Sequence, residues 1–158
     1  MTNKKFIFIL CVLILIVFFP IINHGFVTSW DDSENFINNP WVKNFNLKWA
    51  FTTTLLKVYQ PVSWILLQAQ YSLAPNDPAK LIHIVSIIFH MANSIIVFAI
   101  LRFFSKNIIA FFSALFFALH PLQCEVIAWA SCQPYLIAGF FGGLSFLFFL
   151  KSKEDESW

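Results

Sequence analysis

The sequence of 158 residues is too apolar for an ordinary soluble domain, because 59% of its residues are hydrophobic and only 11% are charged. Soluble domains carry about 25% charged residues, and the mean hydropathy here is +0.73. The excess of apolar residues indicates a protein whose surface faces lipid. The net charge of +2 and the scattered basic residues exclude the basic stripe typical of nucleic-acid-binding proteins.

The first apolar run, residues 6–22, follows Lys4 and Lys5 and predicts a membrane-spanning helix. Its length is at the short end for a span. A cleaved signal peptide is the alternative, since a basic start and an apolar run define one too. No small-x-small cleavage pattern follows at residues 23–26, which favours an uncleaved helix.

Residues 23–80 form a mixed polar and aromatic segment, which we interpret as a loop outside the membrane. Two stretches within it favour helix, namely 41–59 and Pro61–Leu73. Proline is favoured in the first turn of a helix. The second stretch is strongly apolar, yet 13 residues are too few to span a bilayer comfortably. We therefore predict that it lies in the membrane interface.

Three further apolar runs, 81–104, 108–119 and 136–150, predict the remaining spans. In the last run, glycines would let a neighbouring helix approach closely; they are Gly139, Gly142 and Gly143. The expected fold is thus an all-α integral membrane protein. It forms a single transmembrane region over residues 1–158, with about four transmembrane helices and an outer-face loop of interfacial helices.

The distribution of basic residues predicts the orientation in the membrane. If the amino terminus is cytoplasmic, six basic residues lie on the cytoplasmic side of the membrane: Lys4, Lys5, Arg102, Lys106, Lys151 and Lys153. The positive-inside rule places this side in the cytoplasm. We expect both termini there, and loop 23–80 and turn 120–135 on the periplasmic, extracellular or luminal side.

The strongest candidate for chemistry is the acidic pair Asp31 and Asp32, just after the first apolar run. Adjacent carboxylates repel, so one pKa tends to rise, which suits a general base or a metal ligand. The alternative is a solvated, helix-capping turn, because aspartate caps helices well.

A polar stripe lies along the predicted helix 81–104, at a spacing that places its members on one face: His83, Ser86, His90 and Asn93. Polar groups in a spanning helix usually face protein or a wet cavity. His83 is nearest the outer face and could line a site. For His90 the pattern favours hydrogen bonding between helices. The two histidines are too far apart along the helix to share a metal ion.

The third candidate combines His120, Pro121 and Glu125, at the end of the predicted span 108–119. A carboxylate beside the bilayer is costly unless it is paired or wet, and an ordinary interfacial loop is the alternative. The predicted topology places these residues on the same side as the acidic pair. We therefore expect Asp31, Asp32, His83 and Glu125 to converge on one outer-face cavity.

Taken in order, these motifs resemble the amino-terminal part of the GT-C class of membrane glycosyltransferases. The similarity is greatest to tetratricopeptide-repeat transmembrane O-mannosyltransferases and their bacterial relatives. It rests on an ordered series: Trp30-Asp31-Asp32, Ile37-Asn38-Asn39-Pro40, Tyr59-Gln60-Pro61-Val62-Ser63-Trp64, the stripe His83, His90 and Asn93, and His120-Pro121-Leu122-Gln123-Cys124-Glu125-Val126-Ile127-Ala128-Trp129.

The resemblance implies a polyprenyl-phosphate-sugar donor and an acceptor outside the cytoplasm, and the reaction it implies is protein O-mannosyl transfer or a related transfer of a sugar to a hydroxyl. Asp31 would be the base that deprotonates the acceptor, and Asp32 would support it or bind a divalent metal. The helix Pro61–Leu73 would border the site where the lipid-linked donor enters. Four residues are assigned to substrate binding: His83, Glu125, His120 and Gln60.

The sequence departs from the pattern of these enzymes at three positions. Relatives often carry asparagine in place of Ser86, and arginine and aspartate in place of Gln133 and Tyr135. They also have more spans. The expectation is therefore an amino-terminal portion that is inactive alone and has the carboxy-terminal half of the enzyme as its partner. The alternatives are a non-catalytic membrane module that binds lipid or a partner protein, and a truncated remnant.

Overall fold

The computed structural model describes residues 2–155, which contain helices and no strands. Short 3-10 or π turns connect the α-helices. The α-helices, in chain order, are α1 Asn3–Phe18, α2 Pro40–Lys43, α3 Leu47–Thr52, α4 Pro61–Leu73, α5 Pro78–Leu101, α6 Asn107–Leu119, α7 Gln123–Ala128 and α8 Gln133–Asp155. The all-α prediction is confirmed, and α4 has the predicted bounds.

Within the described residues, three helical segments are long and apolar enough to cross a membrane: Asn3–Asn23, Pro78–Leu101 and Ala130–Glu154. The predicted fourth span corresponds to α6, which has only 13 residues. At 1.5 Å per residue α6 is about 20 Å long, shorter than the hydrocarbon core of about 30 Å. The structure therefore supports three candidate spans and a shorter apolar helix, and does not confirm four.

The core of the helical bundle is formed by α1, α5 and α6. The buried residues of α1 recur every four positions, so they form one stripe: Phe6, Leu10, Ile14 and Phe18. Opposite them, α6 buries the small residues Ala110, Ala114 and Ala118, which allow close packing. The other faces of α1 and α6 expose large apolar side chains, as expected for helices surrounded by lipid.

Helix α8 packs closely along α5, and two of the three glycines singled out above lie at the contact. A Cβ atom on Gly139 would lie 3.3 Å from Nδ2 of Asn93, and one on Gly143 would lie 2.8 Å from Cγ2 of Ile96. A Cβ atom on Gly142 would meet nothing within 4 Å. The small-residue contact therefore involves Gly139 and Gly143, one helical turn apart, and does not involve Gly142.

The segment between α1 and α5 has a hydrophobic core of its own, which lies against one end of the bundle. Its buried members come from the turn after Asp32, from helices α2 to α5 and from the 3-10 turn before α8: Phe36, Val42, Ala50, Trp64, Leu67, Tyr71, Ile82 and Ala130. Phe26 stacks on Phe36, with ring centroids 4.7 Å apart. This second core makes the segment a packed layer, and it holds the acidic pair in place.

Candidate active site

The acidic pair lies in a tight turn that leads into a single π-helical turn, Ser33–Ile37. The amide nitrogen of Asn35 donates to the carbonyl oxygen of Asp31 at 2.8 Å. Although they are adjacent, the two aspartates have opposite surroundings, since Asp31 is exposed and Asp32 is completely buried. The two carboxylates are therefore suited to different roles.

Both oxygens of the Asp32 carboxylate are used by hydrogen bonds within the protein. Oδ2 accepts from the amide of Val27 at 2.8 Å, and Oδ1 accepts from the amide of Ser131 at 2.9 Å and from its hydroxyl. Charge-assisted bonds of this kind are stronger than neutral ones. They join the loop after α1 to the segment before α8, which lies about 100 positions further along the chain. This geometry favours a supporting role for Asp32.

Asp31 lines a small polar cavity of about 150 Å³. One wall comes from Asn35 of the same turn and Gln60 in front of α4. The opposite wall comes from Ser131 and from Pro134 and Tyr135 in the first turn of α8. The structure thus brings together two of the residues predicted for the site, Asp31 and Gln60. The exposed carboxylate lies beside amide and hydroxyl groups, as a group that must exchange protons requires.

A hydrogen-bonded chain runs from Asp32 into the cavity wall beside Asp31. The amide of Asn35 donates to the hydroxyl oxygen of Ser131 at 2.9 Å, and that hydroxyl donates to Asp32. Asn35 and Ser131 also line the cavity next to Asp31. Asp32 therefore fixes the wall against which Asp31 lies, without entering the cavity itself.

The third side of the cavity is a strap of residues 53–60, whose backbone adopts an unusual conformation. Leu56 and Lys57 have φ angles of 52° and 63°, in the left-handed region that disfavours residues with a side chain. Leu55, Leu56 and Val58 contribute apolar lining to the cavity. The strained turn is what directs this part of the chain over Asp31.

His83 lies beneath the acidic turn and does not line the cavity. Its side chain is completely buried, and neither ring nitrogen has a hydrogen bond of good geometry. The ring faces the backbone of Gly25 and Ile127, and the charge of Asp32 acts on it. The prediction that His83 binds substrate stays a prediction, because the structure places it one layer behind Asp31.

Glu125 and His120 also lie at this end of the molecule, outside the cavity lined by Asp31. Glu125 is exposed in α7, and its charge acts on Cys132 together with those of Asp31 and Asp32. Nδ1 of His120 accepts from the amide of Leu122 at 3.3 Å, and its ring packs edge-on against Phe116. Of the four residues expected to converge on one cavity, Asp31, Asp32, His83 and Glu125, only Asp31 lines it, so the convergence is not observed.

The polar stripe of α5 faces the interior of the bundle, as its spacing predicts. His83, Ser86, His90 and Asn93 are all buried. Nε2 of His90 is 2.9 Å from the carbonyl oxygen of Ala118, and Nδ2 of Asn93 donates to the carbonyl oxygen of Leu136 at 2.9 Å. For these two residues the hydrogen bonds join helices, which is the alternative that the sequence favoured for His90.

A cluster of neutral amide side chains is centred on Gln133. The side chains of Gln70 and Gln133 exchange hydrogen bonds at 2.8 and 3.2 Å. Gln133 also donates to the hydroxyl of Ser86 at 3.2 Å and to the carbonyl of Ile82 at 3.0 Å. The cluster joins α4, α5 and α8 directly behind the cavity without burying a charge.

Tyr71 on α4 is the group outside the candidate spans whose pKa clearly shifts. Burial is the main cause, and the charge of Asp32 adds to it, so that the pKa of Tyr71 rises to about 12. Its hydroxyl donates to the carbonyl oxygen of Phe36 at 3.4 Å. Burial disfavours the charged form of such a group, so Tyr71 is a neutral structural residue at physiological pH.

The described residues contain no group of three His, Cys, Asp or Glu side chains that could hold a metal ion. Both carboxylate oxygens of Asp32 already accept hydrogen bonds from groups of the protein. A divalent metal at the acidic pair would have only Asp31 as a free carboxylate ligand, fewer than the six or so oxygen ligands that hard cations take. The pair does not fit a metal site built from this chain alone.

Sequence reasoning missed Asn35, Ser131 and Tyr135 as cavity residues. Asn35 and Ser131 meet across 96 positions of the chain, and no local pattern marks such a pairing. Tyr135 was noticed only as a departure from relatives. The one available signal was proline in the first turns of both α4 and α8, which fixes where those helices begin.

Comparisons with known proteins give a weak and partial similarity. The chain is 27% identical over 101 residues to the human Protein O-mannosyl-transferase TMTC3, and 28% identical over 101 residues to its counterpart from Mus musculus. The match covers 64% of this chain and 11% of each relative. No family model matches the sequence, and no solved structure matches it. A relationship to a glycosyltransferase is the most that this similarity indicates.

Proposed function

We propose that this chain supplies the acceptor side of a membrane glycosyltransferase that uses a polyprenyl-phosphate sugar as donor. The observation that carries the proposal is the position of Asp31. It is a free carboxylate in a small polar cavity, next to a carboxylate that the protein has fully hydrogen-bonded. The similarity to protein O-mannosyl-transferases supports transfer to a hydroxyl, of protein O-mannosyl or a related type.

In this proposal Asp31 removes the proton from the acceptor hydroxyl while the hydroxyl oxygen attacks the anomeric carbon of the sugar. The bond from that carbon to the phosphate oxygen breaks, and polyprenyl phosphate leaves. A positioned general base of this kind typically contributes about 10²–10⁴-fold to the rate. Gln60 and Asn35 offer amide groups in the same cavity, which can hold the acceptor by hydrogen bonds. Asp32 is a positioning residue, because it acts through Ser131 and Asn35.

Two helices begin at the cavity, and their ends support an anionic donor. Gln60 immediately precedes α4, while Pro134 and Tyr135 lie in the first turn of α8. The amino-terminal end of a helix carries partial positive charge and favours anions. This partial charge would offset the repulsion between Asp31 and the phosphate of a lipid-linked sugar. His83, Glu125 and His120 remain proposed substrate contacts from the second layer and the rim.

The proposed orientation places the acidic turn outside the cytoplasm. It is supported by the basic residues at the opposite ends of α1, α5 and α8. It can be tested in a background that lacks the three native cysteines, Cys11, Cys124 and Cys132. One cysteine is introduced at Asn76 or at Lys106, both of which are exposed, and is labelled with a membrane-impermeant reagent. We expect intact cells to label Asn76→Cys and not Lys106→Cys. The reverse labelling would contradict the orientation.

The catalytic proposal can be tested by substitutions at the chromosomal gene of the native host. Membranes would be assayed for transfer of radiolabelled sugar from polyprenyl-phosphate mannose to membrane protein. We expect Asp31→Asn to reduce transfer by about 100-fold or more, with an unchanged amount of the chain in the membrane. Glu34→Gln is the matched control, since Glu34 is an exposed acid of the same turn that does not line the cavity.

Two results would contradict the proposal. Transfer at the normal rate by Asp31→Asn would make the acidic pair a structural turn. Transfer that persists when the whole gene is deleted would instead support a non-catalytic module that binds lipid or a partner protein.

A further inference from the structure

At the end of the bundle away from the acidic pair, a groove of about 410 Å³ opens between the carboxy-terminal parts of α5 and α8. The α5 wall consists of Ala99, Arg102 and Phe103, and the α8 wall of Leu147, Lys151 and Glu154. The volume lies within the range of small-molecule sites. The proposed sugar transfer involves none of these residues.

The groove opens where the close glycine packing of α5 and α8 ends. The two helices run side by side in the same direction, since Gly139 lies at Asn93 and Gly143 lies at Ile96. One turn further along, the position facing α5 is Leu147. A leucine does not allow the close approach that a glycine allows, and the groove lies at this position.

The lining of the groove is ordered along the helix axes. Ala99 precedes Arg102 by three residues, which is about 4.5 Å along α5. Leu147 precedes Lys151 by four residues, which is about 6 Å along α8. Ala99 and Leu147 therefore lie nearer the middle of the bundle than the cations Arg102 and Lys151, while Phe103 lies beside Arg102 at the end of the bundle. Glu154 lies about one turn beyond Lys151, on the side towards water.

The Arg102 side chain is held in place and still has donors to offer. Its Nε donates to Oδ1 of Asn107 at 3.0 Å, and its guanidinium lies 5.9 Å from the ring centroid of Phe98. With its amide oxygen turned towards Arg102, Asn3 lies 3.1 Å from Nη1 and 3.0 Å from Nη2. A guanidinium has five N–H donors. These contacts use three of them and leave two for a further acceptor.

We infer that this groove binds one anionic glycerophospholipid, with its phosphate between Arg102 and Lys151 and an acyl chain along Ala99 and Leu147. The order of chemical groups along the groove, apolar and then cationic, is that of a phospholipid in its leaflet. Basic pockets between membrane helices bind anionic head groups, and a planar guanidinium matches phosphate geometry. Two cations against the single carboxylate of Glu154 leave a net positive lining.

Native mass spectrometry of the full chain, released from nanodiscs of equal phosphatidylglycerol and phosphatidylethanolamine, tests this inference. We expect the wild-type chain to retain one phosphatidylglycerol in preference to phosphatidylethanolamine. The double variant R102Q/K151Q should lower this preference by about tenfold or more. The matched control is K4Q/K5Q, which removes two positive charges at the same end of the bundle from a different groove.

A third variant keeps the proposal testable if loss of the Arg102–Asn107 contact disturbs folding. Leu147→Trp fills the apolar part of the groove and keeps both cations, and we expect it also to lose the retained lipid. Equal lipid preference in R102Q/K151Q and K4Q/K5Q would show that general surface charge attracts the lipid, and would overturn the inference. A lipid-free dimer as the dominant wild-type species would overturn it too, because a second copy would then occupy the groove.

Discussion

The segment 24–77 and the helical bundle below it are held together by different physical interactions. In the segment, buried polar side chains bind separate parts of the backbone. Asp32 accepts hydrogen bonds from the amides of Val27 and Ser131, and the side-chain oxygen of Gln68 accepts one from the amide of Asn46 at 2.7 Å. In the bundle, the shape and size of the side chains determine how closely the helices pack, as at the contact of Gly143 with Ile96. Water competes with the protein for the hydrogen bonds of a polar layer. In lipid, helix association gains no hydrophobic free energy, because the lipid tails are as apolar as the helix surfaces. Substitutions in the two regions should therefore fail in different ways.

The largest effect is expected at Asp32. Asp32→Ala leaves the partly buried amides of Val27 and Ser131 without an acceptor, and we expect the free energy of unfolding to fall by about 3 kcal/mol. Asp31→Ala should change it by less than about 0.5 kcal/mol, because this side chain is exposed. Thermal unfolding of both variants in one detergent measures the difference. Equal loss in both would show that hydrogen bonding does not fix the segment.

The next effect concerns the bundle. Gly143→Ala would place a Cβ atom 2.8 Å from the stiff branch of Ile96, and we expect a loss of about 1–3 kcal/mol through overpacking. Gly142→Ala is the control, since nothing lies within 4 Å of its Cβ position. It should gain up to about 1 kcal/mol from helix propensity. Recovery of Gly143→Ala stability on adding Ile96→Ala would attribute the loss to this contact.

A smaller effect of opposite sign is expected in the strap beside Asp31. Lys57 has a φ angle of 63°, which costs an ordinary residue about 1–2 kcal/mol. Lys57→Gly should relieve this strain and raise the free energy of unfolding by up to about 1 kcal/mol. Lys48→Gly lies within α3 and should lower it by about 1 kcal/mol. If both substitutions lowered the free energy of unfolding, the positive φ angle of Lys57 would not be a source of strain.

The smallest effect is a dependence on alkaline pH. Since the pKa of Tyr71 is raised to about 12 by burial and by Asp32, the neutral form contributes stability that is complete below pH 10. This contribution is lost as the pH rises from 10 through 12. Tyr71→Phe should therefore lose less stability than wild type between pH 10 and 12. Absorbance at 295 nm should show one tyrosinate more in the wild-type chain than in Tyr71→Phe, since both chains contain Tyr59 and Tyr135. Parallel stability curves would contradict the prediction.

Local patterns were sufficient to predict much of this molecule from its sequence. The bounds of α4 followed from Pro61 and its apolar run, and the inward face of α5 followed from the spacing of His83, Ser86, His90 and Asn93. Both are patterns within one helix, and the geometry of that helix alone determines what they predict. The membrane character likewise followed from composition, because apolar surface in such excess needs lipid.

Only the tertiary structure decided which aspartate is available for chemistry. In sequence Asp31 and Asp32 are equivalent neighbours, and their difference arises from Ser131, about 100 positions away, which binds Asp32 and leaves Asp31 in the cavity. The separation of Glu125 and His120 from the cavity was decided in the same way. Side-chain spacing fixes faces of one helix, whereas the meeting of distant segments depends on how whole helices pack.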